Sequence, residues 1–357
     1  MKTYKIPRTD LIVSRIAYGC SMFGWDKLPT MANTAALGGF NLVDKASAGR
    51  LVNTAYDNGI TLFDLADVYA LGNTEAYFGE VLKQSPGLRN KIVIQSKCGQ
   101  RLPDEPEPDC PARVDASRDH IVSSAESSLK RLGTDHLDIY LLHAPDALVE
   151  PEEVARAFDE LNRAGKVRYF GVSNHTAAQI ALLQKYIGQP LVVNQVHLGL
   201  GHPYMISGGM EFTLEVLEIL KSLVAFTKGK ALTHDRHHSF ISLAEAGTLD
   251  YCRLHDIQIQ AYSPLRGDLL KAPPGATPQI KQLAQVLAEL AKKKDTTPSA
   301  IALAWLLRHP AGIVPIIGAS NPEHVIDNCS ADRVLLSREE WYILFSAAAE
   351  VQSRQAI

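Results

Sequence analysis

The sequence predicts an α/β protein folded as a closed eight-stranded parallel barrel, the (β/α)8 or TIM-barrel architecture. Three observations lead there. Eight short apolar runs alternate with segments of helical period along nearly the whole chain, and that alternation builds a parallel sheet ringed by helices. The turn after the first run, Gly19-Cys20-Ser21-Met22-Phe23-Gly24, lacks the GxGxxG spacing that an open doubly wound sheet usually carries there. No internal repeat or low-complexity linker divides the chain, so a single domain over residues 1–357 is expected.

The units follow in order. A strand over 16–18 leads to a helix over 46–58, and a strand over 61–64 to a helix over 75–83. The third strand, 92–96, precedes a helix over 118–132, where Ile121, Ala125, Leu129 and Leu132 recur at helical spacing. The fourth strand, 137–142, precedes a helix over 152–163 with Pro151 just ahead of it. A strand over 169–172 and a helix over 177–186 come fifth. The sixth strand, 191–196, is separated by a long insertion, about 199–247, from its helix over 249–255. The last two units pair a strand over 257–262 with helices within 278–308, and a strand over 314–317 with a helix over 322–328.

Two loops break this rhythm. Residues 101–113 (RLPDEPEPDCPAR) are acidic and proline-rich and follow the third strand. The insertion after the sixth carries a helical pattern over 214–226. Loops at the strands' C-terminal rim shape substrate pockets in barrels, so both are expected to do so here.

Composition excludes several classes. The 357 residues are 46% hydrophobic and 21% charged, ordinary for a globular protein, and the formal net charge of -3 offers no attraction for nucleic acid or an anionic membrane. Five scattered cysteines (Cys20, Cys98, Cys110, Cys252, Cys329) form no CxxC pair, which suits reduced thiols and a cytoplasmic setting. The N-terminus has no apolar leader segment, and no run approaches the roughly 18 apolar residues of a membrane span.

The chemistry-bearing residues close successive apolar runs. Asp64 ends the second run with Tyr69 five positions beyond, Lys97 follows the third, and His143 follows the fourth. Singly, each reads more simply as a turn residue, a packing ring or a core histidine. Together, at the rim where barrel enzymes build their sites, they make an acid–base set. A free phenol has a pKa near 10, and an adjacent ammonium would pull Tyr69 toward neutral pH. Asp64 would hold the Lys97 ammonium, and a neutral His143 would donate a hydrogen bond to a carbonyl oxygen. None is an obvious covalent nucleophile, so the set suits proton transfer coupled to hydride transfer.

These residues lie in segments that resemble the aldo-keto reductase superfamily: YGCSMFG (18–24), FDLADVYALGNTEAYFGEVL (63–82), SKCG (96–99), LDIYLLHAPD (137–146), GKVRYFGVSNH (165–175), NQV (194–196), AYSPL (261–265) and IIGASNPEHVIDN (316–328). The resemblance spans nearly the whole chain in family order. It implies a (β/α)8 barrel that binds an extended nicotinamide cofactor, NADP(H) or NAD(H), at its mouth. By resemblance Tyr69 is the acid/base, Lys97 and Asp64 tune it, and His143 orients the substrate. Ser173, Asn174 and Gln195 would hold the carboxamide and Tyr262 would stack on the nicotinamide. Ser263, Pro264, Leu265 and Gly267 would hold the pyrophosphate, while Ser21, Met22, Asp64 and Ile317 would complete the cofactor's lining. Gly318, Ser320 and His324 would meet the adenosine ribose, and Asn328 the adenine.

The chain also departs from that pattern. NADP-preferring relatives often place a Lys or Arg after the eighth strand and an Arg in the next turn; here these positions read Gly318-Ala319-Ser320-Asn321 and His324. NADP(H) keeps a slight lead, with NAD(H) or dual use open. Ala144 stands where many relatives carry an Arg after the histidine. The cluster His234-Asp235-Arg236-His237-His238 lacks the Cys or spaced carboxylate of a metal site and is read as a solvated loop, with no metal expected. Three functions remain in view: reduction of a small aldehyde or ketone, NAD-dependent oxidation of a sugar or other alcohol by the same groups, and a nicotinamide-binding regulatory barrel with little turnover. A monomer or small homo-oligomer is expected.

Overall fold

The computed structural model describes residues 1–27, 43–102, 104–207 and 247–352. Eight strands close into one parallel barrel: β1 (Ala17–Gly19), β2 (Leu62–Asp64), β3 (Val93–Cys98), β4 (Leu137–Leu142), β5 (Val167–Ser173), β6 (Leu191–His197), β7 (Gln258–Tyr262) and β8 (Val314–Ile317). Pairing of Ile316 with Ala17 and Ile317 with Tyr18 shuts the ring. The (β/α)8 class read from the sequence is therefore the observed one.

Strand ends differ from the apolar runs. β3 extends through Lys97 to Cys98, β5 spans Val167 to Ser173, and β6 reaches His197. The ladder is a backbone property, so polar residues stay in register where a neighbouring strand continues. Lys97 lies opposite Leu141, Ser173 opposite Gln195, and His197 opposite Tyr262.

Helices α1 (Lys45–Asp57), α2 (Asn73–Gln84), α3 (Arg118–Leu132), α4 (Pro151–Arg163), α5 (Ala177–Tyr186), α6 (Thr248–Leu254), α7 (Pro278–Lys293), α8 (Pro298–Arg308) and α9 (Pro322–Cys329) surround the strands. Their starts carry local signals. Ser117, Thr176, Thr277, Thr297 and Asn321 each cap a helix by accepting a backbone N–H, and proline opens the three helices after Thr277, Thr297 and Asn321. Three features escaped the sequence reading. A final helix, α10 (Arg338–Gln352), stacks Trp341 on Trp305 with ring centroids 5.2 Å apart. The strands Thr3–Lys5 and Ile12–Ser14 pair as an N-terminal hairpin. Residues 100–101 and 113–114 pair antiparallel, pinning both ends of the acidic loop. The helix expected over 214–226 and the histidine cluster at 234–238 lie outside the described residues. Among the described residues, no helix is long and apolar enough to cross a membrane, and no group of three or more His, Cys, Asp or Glu is arranged to hold a metal.

Two cores position the site. Outward-facing residues such as Phe63, Ile94, Tyr140 and Phe170 pack against helices, with Phe170 stacked 4.0 Å from Phe158. The inner core joins Ala17, Leu62, Val93, Ile139, Val193 and Val314 to Ile6, Leu11 and Val13 around the hairpin. Side chains alternate along each strand, so Leu62 and Val93 inside imply Asp64, Gln95 and Lys97 inside as well, nearer the mouth. The barrel thus fills with apolar side chains at one end and polar ones at the other.

Gly171 marks how tightly the interior is packed: a Cβ there would stand 2.6 Å from the Val193 carbonyl oxygen and 2.7 Å from the Leu141 side chain. Gly171→Ala should lower stability by about 1–3 kcal/mol through overpacking. A urea unfolding midpoint equal to that of the wild type would refute this.

Candidate active site

Strand ends deliver the four chemistry-bearing side chains to one place. Asp64 closes β2, Lys97 sits one residue from the end of β3, and His143 follows β4 with its backbone N–H donating to the Cys98 carbonyl at 2.8 Å. Tyr69 begins a tight turn, Tyr69–Gly72, in which Ala70 and Leu71 hold left-handed backbone (φ 48° and 55°) and Gly72 follows at 85°. Non-glycine residues rarely adopt that conformation, so the turn is strained and its surroundings must hold it.

Lys97 is fully buried and its ammonium uses three partners: the Asp64 carboxylate at 2.7 Å, the Leu65 carbonyl at 2.8 Å and the Tyr69 hydroxyl oxygen at 3.3 Å. An ammonium has three N–H bonds and accepts none. The Tyr69 oxygen therefore accepts from Lys97 and keeps its own O–H for another partner. The His143 ring stands edge-on to Tyr69 with centroids 5.6 Å apart, and its Nδ1 is enclosed without a partner.

The electrostatics agree with the sequence reading in two respects and correct it in a third. Burial opposes the charge on Lys97, but Asp64 and Tyr69 more than offset it and hold the ammonium's pKa above its ordinary value. Burial, followed by repulsion from Lys97, pushes the His143 imidazole down to about 3, so it is neutral at physiological pH. Tyr69 does not move toward neutrality. Burial raises its pKa further than Lys97 lowers it, and Asp64 adds to the rise. The phenol stays protonated because losing its proton would leave an anion in a poorly solvated niche beside a carboxylate.

Beneath the rim lies a layer that the sequence reading missed. Asp64 Oδ1 accepts from Gln95 Nε2 at 2.7 Å and from Gln195 Nε2 at 2.8 Å. Gln260 Oε1 accepts from Gln95 at 2.7 Å and from Gln195 at 3.3 Å. Gln260 Nε2 in turn donates to Gln95 Oε1 at 3.0 Å and to Gln258 Oε1 at 3.3 Å. The signal was present: Gln258 and Gln260 alternate with Ile257 and Ile259, and Gln95 interrupts an apolar run. Polar residues at period two in a buried strand mark a polar stripe facing the barrel interior.

The residues read as cofactor contacts form an arc around this centre. Asn174 Nδ2 donates to the His143 carbonyl at 3.2 Å and to Ser173 Oγ at 3.0 Å, and the Tyr262 hydroxyl donates to Asn174 Oδ1 at 3.0 Å. His197 stacks on one face of Tyr262 with centroids 5.3 Å apart, and His202 stacks on His197. Ser263 and Gly267 are exposed just beyond β7, Leu265 is half-buried and Pro264 is buried. Ser21 and Met22 are half-buried after β1. Ile317 is fully enclosed, which leaves Gly318 as the first exposed position after β8 and limits Ile317 to a backbone role. Ser320 is half-buried, His324 is exposed in the first turn of α9, and Asn328 is buried in the same helix. The acidic loop contributes Arg101, Leu102, Glu105 and Pro106 to a cavity of about 570 Å³ that also borders Val68 and Leu71, on either side of Tyr69.

A closed parallel barrel whose polar side chains gather at the C-terminal ends of its strands has the layout of a barrel enzyme. The family model for the aldo/keto reductases matches residues 15–202 and 211–348, and the chain belongs to that family of oxidoreductases. Oxidoreductase YdhF of Escherichia coli is 35% identical over 292 residues, covering 82% of this chain and 84% of that protein. A 6-dehydroglucose reductase of Novosphingobium aromaticivorans is 32% identical over 309 residues, covering 85% and 86%. Among solved structures, the thermostable aldo-keto reductase Tm1743, crystallised with the inhibitor epalrestat, aligns with a TM-score of 0.68 at 26% identity, over 97% of this chain and 100% of that one.

The buried pair makes a stability prediction. Lys97→Met leaves the Asp64 carboxylate buried without its counter-ion and should cost about 3–5 kcal/mol. Adding Asp64→Leu removes the orphaned charge and should recover part of that loss. Chemical unfolding of the two variants measures both effects, and a double variant less stable than the single one would contradict this account.

Proposed function

We propose that the protein is an NAD(P)H-dependent reductase of a small aldehyde or ketone, with Tyr69 as the proton donor. The observation that carries this reading is the commitment of all three Lys97 donors, which leaves the Tyr69 O–H as the proton available at the mouth. Bound nicotinamide would supply the hydride. The fit of the site to that cofactor rests on free hydrogen-bonding capacity: both N–H bonds of Gln195 are used inside the barrel, while no partner reaches its Oε1 among the described residues. Ser173, Asn174 and Gln195 would hold the carboxamide, Tyr262 would support the ring, and the segments 263–267 and 318–328 would take the phosphates and adenosine.

His143, neutral and beside Tyr69, would present an N–H to the carbonyl oxygen and bring it to the phenol. Tyr69 would then release its proton to that oxygen as negative charge develops there, with Lys97 stabilising the phenolate left behind. At neutral pH the phenol carries its proton, as the donor in reduction must. Oxidation by the same groups needs the phenolate. The reduction rate should therefore be level between about pH 6 and 8, and the reverse rate should climb with pH over that interval. A reverse rate independent of pH would contradict the assignment.

The sequence kinship with 6-dehydroglucose reductases makes a polyhydroxylated aldehyde the first substrate to test. Tyr69→Phe should cut turnover by about 10²–10⁴-fold while leaving nucleotide affinity within about twofold, measured by quenching of intrinsic fluorescence. Turnover close to that of the wild type would remove Tyr69 from the mechanism.

Use of either nucleotide is proposed for the adenosine end. Among residues 318–328 the only basic side chain is His324, which is exposed at the start of α9. A neutral imidazole pairs weakly with a 2′-phosphate. His324→Arg should shift the NADPH-to-NADH affinity ratio about tenfold toward NADPH, equal to about 1.4 kcal/mol. An unchanged ratio would place the 2′ position elsewhere.

A further inference from the structure

A second cavity lies on the flank of the barrel. It measures about 460 Å³, a size suited to a small molecule, and sits between α6, the end of α8 and the start of α10. Arg253 and Arg308 line it from the last turns of α6 and α8, which lead back into β7 and β8. Arg308 Nε donates to the Leu336 carbonyl at 3.1 Å and so ties the approach to α10 to the same end. Those helix ends stand where strands begin, whereas Asp64, Lys97 and His143 mark where strands finish. None of the residues assigned to the mouth belongs to this wall.

The wall combines two kinds of surface. Ile206, Leu249 and Trp341 are apolar, while Arg253, Arg308 and Arg338 bring guanidinium groups from three helices. Among the described residues the wall holds one carboxylate, Asp250, which meets Arg253 at 3.5 Å in an exposed pair of the kind that holds weakly. Neither Arg308 nor Arg338 has a carboxylate partner among the described residues. The cavity therefore carries excess positive charge, in a chain whose formal net charge is -3. His309, in the same wall, registers that charge. Burial, followed by repulsion from Arg253, pushes its imidazole down to about 4. The neutral ring accepts the Ala311 N–H at Nδ1, 3.2 Å away, so its own proton sits on Nε2 as one more donor.

We propose that this cavity binds a small organic anion with an apolar body, its charged head held by Arg308 and Arg338 and its hydrocarbon against Ile206, Leu249 and Trp341. Guanidinium groups gathered around one cavity repel each other, and an anion among them relieves that repulsion. Their paired N–H bonds also match the two oxygens of a carboxylate. Removing the ligand's hydrocarbon from water supplies the rest of the affinity. A cation would be repelled, and a neutral hydrocarbon would leave the arginines without a counter-charge, so head and body are both required. The inference is independent of the nicotinamide reading, because the two sites share no residue.

Octanoate carries both features and serves as the probe. Octan-1-ol keeps the body without the charge, and acetate keeps the charge without the body. Each is titrated into the whole protein by calorimetry at low salt, with and without excess NADPH. Octanoate should bind one to one, at least about tenfold more tightly than either control, and equally well in the presence of NADPH. Arg338→Glu should weaken octanoate at least about tenfold while leaving octan-1-ol within about twofold. A carboxylate in the first turn of α10 suits the helix dipole, so this variant should melt no lower than the wild type. The double variant Arg308→Gln, Arg338→Gln should lose octanoate in the same way. Arg163→Gln, at an exposed arginine of α4, controls for overall charge and should change nothing.

Absence of octanoate binding, or binding no tighter than that of octan-1-ol, would overturn the proposal without any variant. So would octanoate affinity unchanged in Arg338→Glu, or reduced as much in Arg163→Gln. Displacement of octanoate by NADPH would place the probe at the mouth and overturn the proposal as well.

Discussion

A lysine ammonium with no exposure to water must be neutralised and fully hydrogen-bonded, and the rest of the site follows from how this barrel meets that demand. Asp64 supplies the counter-charge, the Leu65 carbonyl takes a second N–H and the Tyr69 oxygen the third. Meeting the demand orients Tyr69, because its oxygen is drawn toward the lysine and its proton faces away. It reinforces the neutrality of His143, which burial imposes first and repulsion from the Lys97 cation strengthens. It also gives direction to the amides beneath, because the Asp64 oxygen that Lys97 leaves free must be filled by donors. An isolated buried ion pair contributes little to stability. Its contribution here is geometric: one charge relation sets the proton positions of several neighbours.

The behaviour of Tyr69 shows why a pairwise reading of charges is insufficient. A cation 3.3 Å from a phenol oxygen pulls its pKa down, and the sequence reading stopped at that effect. Burial acts on the same group with opposite sign and is larger, and the Asp64 carboxylate that anchors the cation also disfavours a phenolate. The net result is a protonated acid held beside a cation. That arrangement stabilises the anion once the proton has left without ionising the group beforehand, which suits a donor in carbonyl reduction.

The barrel was legible because its signals are local. Apolar runs alternating with helical periods, threonine and asparagine caps and prolines at helix starts announce strand–helix units whatever the rest of the chain does. The order of Asp64, Tyr69, Lys97 and His143 was legible for the same reason: strand ends mark the rim, and all parallel strands end on the same face. The glutamine layer was half-legible. The alternation of Ile257, Gln258, Ile259 and Gln260 shows a polar stripe, while its partners Gln95 and Gln195 sit on other strands, and one strand carries no information about its neighbour's register. The N-terminal hairpin and α10 were missed because both lie outside the eight-unit rhythm, one before its first strand and one after its last helix.

By itself the sequence determined the eight-unit architecture, the placing of Asp64, Tyr69, Lys97 and His143 at or just beyond successive strand ends and the absence of Lys and Arg along residues 318–328. Only the tertiary structure decided the protonation state of Tyr69, the direction in which the Gln95, Gln195 and Gln260 amides point and the enclosure of Ile317. Residue type and strand order are properties of the chain that survive any fold. A pKa or an amide's orientation depends on how much water is excluded and which lone pairs face it, and those quantities exist only once distant strands have closed around the same few ångströms.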